Sequence, residues 1–99
     1  MPFRIIFSDA ARQTLSSLLE DENLKPKRDR VRKALGLLET NPRHPGLRTH
    51  RYQSKSGPNG EQVWEAYVEN QTPSAWRIWW WYGPEREQIT ILSIGPHPD

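Results

Sequence analysis

Residues 76–82 read Trp76-Arg77-Ile78-Trp79-Trp80-Trp81-Tyr82, and the fold turns on what such a run can be. It holds four of the chain's five tryptophans, and aromatic and β-branched residues at this density form a strand covered on both faces. Alternation puts Ile78 and Trp80 on one face and Arg77, Trp79 and Trp81 on the other.

Working outward, residues 62–69 alternate so that Trp64, Ala66 and Val68 point one way and Val63, Glu65, Tyr67 and Glu69 the other, the pattern of a half-buried strand. Polar residues 70–74, with Pro73, separate the two strands. On the other side Gly83-Pro84-Glu85-Arg86 turns the chain, and residues 88–94 return as a last β-branched strand before Gly95-Pro96-His97-Pro98-Asp99. Upstream, residues 47–52 read as a strand with Arg48, His50 and Tyr52 on one face, and residues 54–60 read as a flexible loop closing on the hairpin signal Asn59-Gly60.

The first half has helical period. Residues 3–7 suit a strand, and Ser8-Asp9 then caps a helix whose core stripe is Ala11, Leu15, Leu18 and Leu19. Glu20-Asp21-Glu22 marks its end. Pro26 fits the first turn of a second helix, with Val31, Ala34, Leu35 and Leu38 as its stripe and Asn41-Pro42 as its stop. Gly36 inside it reads either as close packing against a neighbour or as a tolerated surface glycine. The expectation is one α+β domain over residues 1–99: an N-terminal strand and a two-helix antiparallel hairpin, packed on a curved, mainly antiparallel sheet of four to five strands.

Composition narrows the function. With no cysteine there is no disulfide, thiolate metal site or thiol nucleophile. No apolar run approaches the roughly 20 residues that span a bilayer, and the N-terminus is too short in apolar residues for a signal peptide, so a cytoplasmic protein with no membrane partner is expected. The formal charge of +2 permits an anionic partner, and its distribution points to one. Residues 25–33 carry Lys25, Lys27, Arg28, Arg30, Arg32 and Lys33 against Asp29 alone, and residues 43–55 carry Arg43, Arg48, Arg51 and Lys55 with no acid. A solvated helix face and a basic loop is the competing reading.

Phosphate-binding glycine loops, helical histidine pairs at metal spacing and nucleophilic-serine elbows are missing from the sequence, so neither metal nor cofactor is expected. What remains near the strand ends is Arg48, His50, Arg51, Arg77, Trp79, Trp81, His97 and Asp99, a set suited to binding and cleaving RNA. Attack by the RNA's own 2′-hydroxyl needs a base, an acid for the leaving 5′-oxygen and a cation for the phosphorus oxygens. Arg77, inside an apolar strand, must line a cleft or find a partner, and a salt bridge with Glu65 is the competing role.

The whole chain resembles the RelE/ParE superfamily of bacterial type II toxin-antitoxin toxins. The resemblance is carried by the opening strand and Ser8-Asp9-Ala10-Ala11, Asn41-Pro42-Arg43-His44-Pro45-Gly46-Leu47-Arg48, Val63-Trp64-Glu65-Ala66-Tyr67, Trp76-Arg77-Ile78 and Ile94-Gly95-Pro96-His97-Pro98-Asp99. It implies a toxin that cleaves mRNA in the ribosomal A site and is held inactive by an antitoxin from an adjacent gene. Arg77 matches the arginine that stabilises the scissile phosphate, and His97 matches the position of an arginine or histidine acid. His44 or His50 stands where some members place a further histidine, and His50 is taken as the base. Arg48, Arg51 and Lys55 match a stretch that contacts RNA, and Trp79 or Trp81 would stack on a base if exposed.

Two departures from the pattern stand out. The C-terminal aromatic of several members has no counterpart before Asp99 unless Tyr52, Tyr67 or Trp81 substitutes, and of the lysine-rich catalytic strand only Lys55 remains. The superfamily also includes gyrase inhibitors, so the alternative is a toxin that binds a protein target such as DNA gyrase, or a detoxified antitoxin-binding module.

Overall fold

The structure, a computed structural model, describes residues 2–98; Asp99 of the C-terminal motif lies outside them. Strand β1 (Arg4–Phe7) runs into helix α1 (Asp9–Glu20), and a 3-10 turn at Glu22–Leu24 leads into α2 (Lys25–Thr40). A second 3-10 turn at Pro45–Leu47 precedes β2 (His50–Ser56), β3 (Gln62–Tyr67), β4 (Trp76–Tyr82) and β5 (Gln88–Pro96). The strands form one five-stranded sheet in the order β1-β5-β4-β3-β2, antiparallel except where β1 runs parallel to β5.

Ser8 starts α1 by accepting the Ala11 N–H at 3.0 Å, which satisfies a donor that the first helical turn leaves free. Its hydroxyl also donates to the Leu92 carbonyl at 2.7 Å, fastening the helix start to β5. Ala11 and Leu18 of α1 and Val31, Ala34 and Leu38 of α2 are buried against Ala66, Ile78, Trp80, Ile89, Ile91 and Ile94 of the sheet. Leu19 does not join them. It lies one step round the last turn from Leu18, beyond the covered stripe, and is 62% exposed. Gly36 is exposed, and a Cβ there would meet nothing, so it is a surface glycine.

The expected strand over residues 47–52 begins later, at His50. The His44 Nδ1 accepts the Gly46 N–H at 2.9 Å, and the Arg48 N–H donates to the Pro45 carbonyl at 3.1 Å. These contacts hold a tight turn that leaves Arg48 left-handed, at φ 48°. The following loop is shorter than expected, because β2 continues through Ser56. The chain then reverses over residues 57–60, where Gly60 takes φ +86° and the Glu61 carboxylate accepts the Asn59 N–H at 2.8 Å. The last strand likewise runs on past Ile94 to Pro96.

The two sheet faces differ. The helices cover the face bearing Trp64, Ala66, Ile78 and Trp80. On the opposite face Val63, Trp79 and Trp81, with Tyr52 and Leu92, form a cluster built from strand residues alone. His50, Glu65 and Arg77 gather on that helix-free face.

Candidate active site

Glu65 sits in the middle of β3 and is 1% exposed. Antiparallel register sets His50 of β2 directly opposite it on one side and Trp79 of β4 on the other, and cross-strand neighbours on one face stand within side-chain reach. The His50 Nε2 lies 2.9 Å from Glu65 Oε1. The Trp79 indole N–H donates to Oε2 at 2.8 Å, and the His97 Nε2 lies 3.4 Å from the same oxygen. The Arg77 Nε is 3.8 Å from Oε1. A carboxylate removed from water needs such donors, because an unpaired buried charge is among the costliest features a fold can hold.

Each member is held from a second side. The Arg77 Nη1 donates to the Glu69 carbonyl at 2.5 Å and the Trp76 carbonyl at 3.1 Å, and the guanidinium lies 3.6 Å from the centre of the Tyr67 ring. His97 is tied by its backbone N–H to the Ala75 carbonyl at 2.9 Å, and its ring meets Tyr52 edge-on at 6.4 Å. The His50 Nδ1 lies 3.2 Å from the Arg48 carbonyl, so both its ring nitrogens face oxygens. Among the described residues no group of three metal-ligating side chains is arranged to hold a metal ion.

The three residues expected to do chemistry, Arg77, His97 and His50, are thus brought together. The expected competing ion pair of Arg77 with Glu65 is present as well. What sequence reasoning missed is that Glu65 organises the group. The partial signal was an acid inside an otherwise apolar and aromatic strand, which must find donors across the sheet.

The expected RNA-contacting residues divide. The Arg48 guanidinium lies 5.9 Å from the Tyr67 ring, and the Lys55 Nζ lies 5.8 Å from the Trp79 ring, at the rim of the Glu65 face. Arg51 alternates to the other side and lies 5.9 Å from the Trp64 ring. His44 caps the turn before β2 instead of approaching Glu65. Trp79 and Trp81 are 4% and 5% exposed, so neither offers a ring face to a base; their size drives them into the cluster on this face. Of the aromatics considered as substitutes for a C-terminal one, Tyr52 stands beside His97 and Tyr67 lies under Arg77.

Several cations of the basic stretch of α2 pair within the chain. Lys27 reaches Glu69 Oε1 at 2.7 Å and Arg30 reaches Oε2 at 3.2 Å, while Lys25 pairs with Asp29 at 2.8 Å. Arg28 donates to the Leu18 carbonyl at 3.1 Å. Burial pushes the Glu69 carboxyl up, but the hydrogen bonds from Lys27 and the Trp76 N–H, with the charges of Lys27 and Arg30, outweigh it and hold it below the usual range. Lys27 and Arg30 join α2 to the end of β3, while Lys25, Arg30, Arg32 and Lys33 stay exposed.

No family model matches the sequence, and no curated protein is similar enough to match. Solved structures do match. A chain of the archaeal RelE-RelB complex from Pyrococcus horikoshii superposes with a TM-score of 0.67 at 18% identity, over 97% of this chain and 96% of that one. The YoeB dimer from Staphylococcus aureus gives 0.64 at 13% identity, over 99% and 100%. A chain of the intact E. coli RelBE toxin-antitoxin complex gives 0.59 at 15% identity, over 98% and 99%. At these identities the likeness is one of fold, and it extends over the full described architecture.

Proposed function

We propose that this chain is the toxin of a type II toxin-antitoxin module and acts as a metal-independent mRNA endonuclease on the ribosome, restrained by a separate antitoxin. The observation that carries the reading is the convergence of Arg77, His50 and His97 on the Glu65 carboxylate, on the sheet face that no helix covers. The fold shared with solved toxin-antitoxin complexes supports it.

In this reading an RNA phosphate docks at the Arg77 guanidinium, which its two carbonyl contacts and the Tyr67 ring hold in one orientation. His50 takes the proton from the 2′-hydroxyl, the 2′-oxygen bonds to phosphorus, and the bond to the 5′-oxygen breaks as His97 protonates that oxygen. A 2′,3′-cyclic phosphate and a 5′-hydroxyl result. Glu65 holds the Nε2 side of both imidazoles. Because both nitrogens of His50 face oxygens, proton uptake requires its Nδ1 to turn from the Arg48 carbonyl.

Inducing the chain without an antitoxin and mapping new RNA 5′ ends tests this. Cuts within translated regions are expected in the wild type and absent in His97→Ala and Arg77→Ala, with antitoxin binding kept by Arg77→Ala. Growth arrest without new ends would assign the chain to a protein target such as gyrase, and unimpaired growth to a detoxified antitoxin-binding module.

A further inference from the structure

On the helix side of the sheet, at its β2 edge, a groove of about 340 Å³ is lined by Arg43, His44, Arg48, Trp64, Trp80 and Tyr82, together with Pro42, Pro45 and Thr49. No acidic side chain lines it. Its polar groups are overwhelmingly donors. The Trp80 indole N–H is buried without a hydrogen-bond partner. The His44 Nδ1 accepts the Gly46 N–H, which places the proton of a neutral ring on Nε2. Among the described residues no ion pair engages Arg43, Arg48 or the adjacent Arg51.

The apolar part of the groove is flat. Trp64 and Trp80 stack with centroids 6.3 Å apart and planes at 28°, and Tyr82 stands edge-on to Trp80 and is 42% exposed. Donors without acceptors, cations without counterions and aromatic faces together fit a ligand that is anionic, rich in acceptors and planar. The volume lies at the lower end of that of small-ligand sites, the scale of a single nucleotide. Arg48 also joins the groove to the Glu65 face, since its guanidinium lies 5.9 Å from the Tyr67 ring that carries Arg77.

We propose that this groove is a nucleotide subsite for the RNA strand that runs from the phosphate at Arg77, past Arg48 and round the β2 edge. The base lies against Tyr82 and Trp64, while the phosphate sits between Arg43 and Arg48. An acidic peptide would answer the arginines but would leave the flat aromatic surface unused, so RNA is the better fit. The proposal rests on the RNA-cleaving reading, and its test separates the two.

The test titrates a 2′-O-methyl RNA pentamer, which lacks the attacking hydroxyl, into the wild type, Arg43→Glu, Arg77→Ala and His97→Ala at low salt, following tryptophan fluorescence. Arg43 is exposed and is held only through its backbone N–H, which donates to Asn41, so its replacement leaves the fold intact. Wild type and His97→Ala should bind alike, and Arg43→Glu should bind roughly tenfold more weakly. The slope of log affinity against log salt should fall by about 0.7, the share of one phosphate contact on a single strand. A dinucleotide that covers only the cleaved bond should not distinguish Arg43→Glu from the wild type. Equal pentamer binding by wild type and Arg43→Glu, with weakening in Arg77→Ala, would overturn the subsite and leave the cleavage reading standing. Failure of every protein to bind the pentamer would overturn both. Tighter competition by a glutamate peptide than by the RNA would overturn the choice of ligand.

Discussion

Two withdrawn carboxylates, Glu65 and Glu69, stand four residues apart in the chain and are held by different kinds of partner. Glu69 meets Lys27, Arg30 and a backbone N–H, donors that stay charged or fixed at any ordinary pH. Glu65 meets two imidazoles and an indole N–H closely, and its one permanent cation, Arg77, only at 3.8 Å. The first arrangement joins a helix to a strand. The second gathers imidazoles from two different parts of the chain, and it faces the side of the sheet that neither described helix covers. The kind of donor therefore distinguishes the two carboxylates better than burial does, since both are largely withdrawn from water.

The largest expected effect comes from changing Glu65 with its shape kept. Glu65→Gln should lower RNA cleavage per folded molecule on the order of 100-fold, the scale of general acid–base assistance. Urea unfolding should show a loss of only about 1 kcal/mol, because a carboxamide oxygen can still accept the Trp79 indole N–H. The reverse result, a large stability loss with cleavage intact, would make Glu65 a second clamp and erase the contrast.

Glu69→Gln should behave in the opposite way, losing about 1–2 kcal/mol of stability at neutral pH as Lys27 and Arg30 lose their charged partner, with cleavage per folded molecule unchanged. Comparing urea midpoints with initial cleavage rates across the two variants checks both halves of the contrast in one experiment.

Much of this was legible in the sequence. The alternation of residues 76–82 and 62–67 sorted the two sheet faces, because in a strand the side-chain period is fixed by the backbone itself. Strand β3, however, ends at Tyr67, and Glu69 turns to α2 instead of sharing the Glu65 face. The capping role of Ser8 and the stop at Asn41-Pro42 were readable for the same local reason. Arg77, His50 and His97 could be singled out by residue type and by their places near strand ends. Their meeting point could not, because Glu65 joins them through the register of three strands, and register is set by the β2 start and the β4–β5 irregularity rather than by any short stretch. The late start of β2 depends on His44 capping its own turn, which no periodicity reveals. Part of the basic run of α2 is paired in a way the local sequence does not reveal, because Glu69, a long way along the chain, meets Lys27 and Arg30.

In the folded protein Glu69 should keep its charge to lower pH than an ordinary glutamate does. Its carboxyl sits below the usual range in the folded state, so the unfolded chain takes up that proton first. The stabilisation is complete above the unfolded value of about 4.3 and is lost as pH falls through the lower folded value. The stability gap between wild type and Glu69→Gln, read from urea unfolding at several pH values, should be full at pH 7 and close progressively below about pH 4.3. A gap that stays constant down to strong acid would mean that the contribution of Glu69 is packing rather than charge.

The smallest effect is expected at a third carboxylate. The Asp29 carboxyl is also held below its usual range, first by the hydrogen bond from Lys25 and then, against a slight opposing effect of burial, by the charges of Lys25, Arg28 and Arg32. Its pair with Lys25 nevertheless stands in water, with the two side chains 60% and 50% exposed, and exposed pairs one helical turn apart add little because solvent and salt screen them. Asp29→Asn should leave the urea midpoint indistinguishable from that of the wild type in the same experiment that separates Glu69→Gln. Asp29 and Glu69 both pair with lysines of α2 and both have lowered carboxyls, so the degree of exposure is the chief difference between them. Equal losses from the two variants would mean that cationic pairing alone stabilises this fold, and the distinction drawn between Glu65 and Glu69 would then rest on chemistry at the histidines alone.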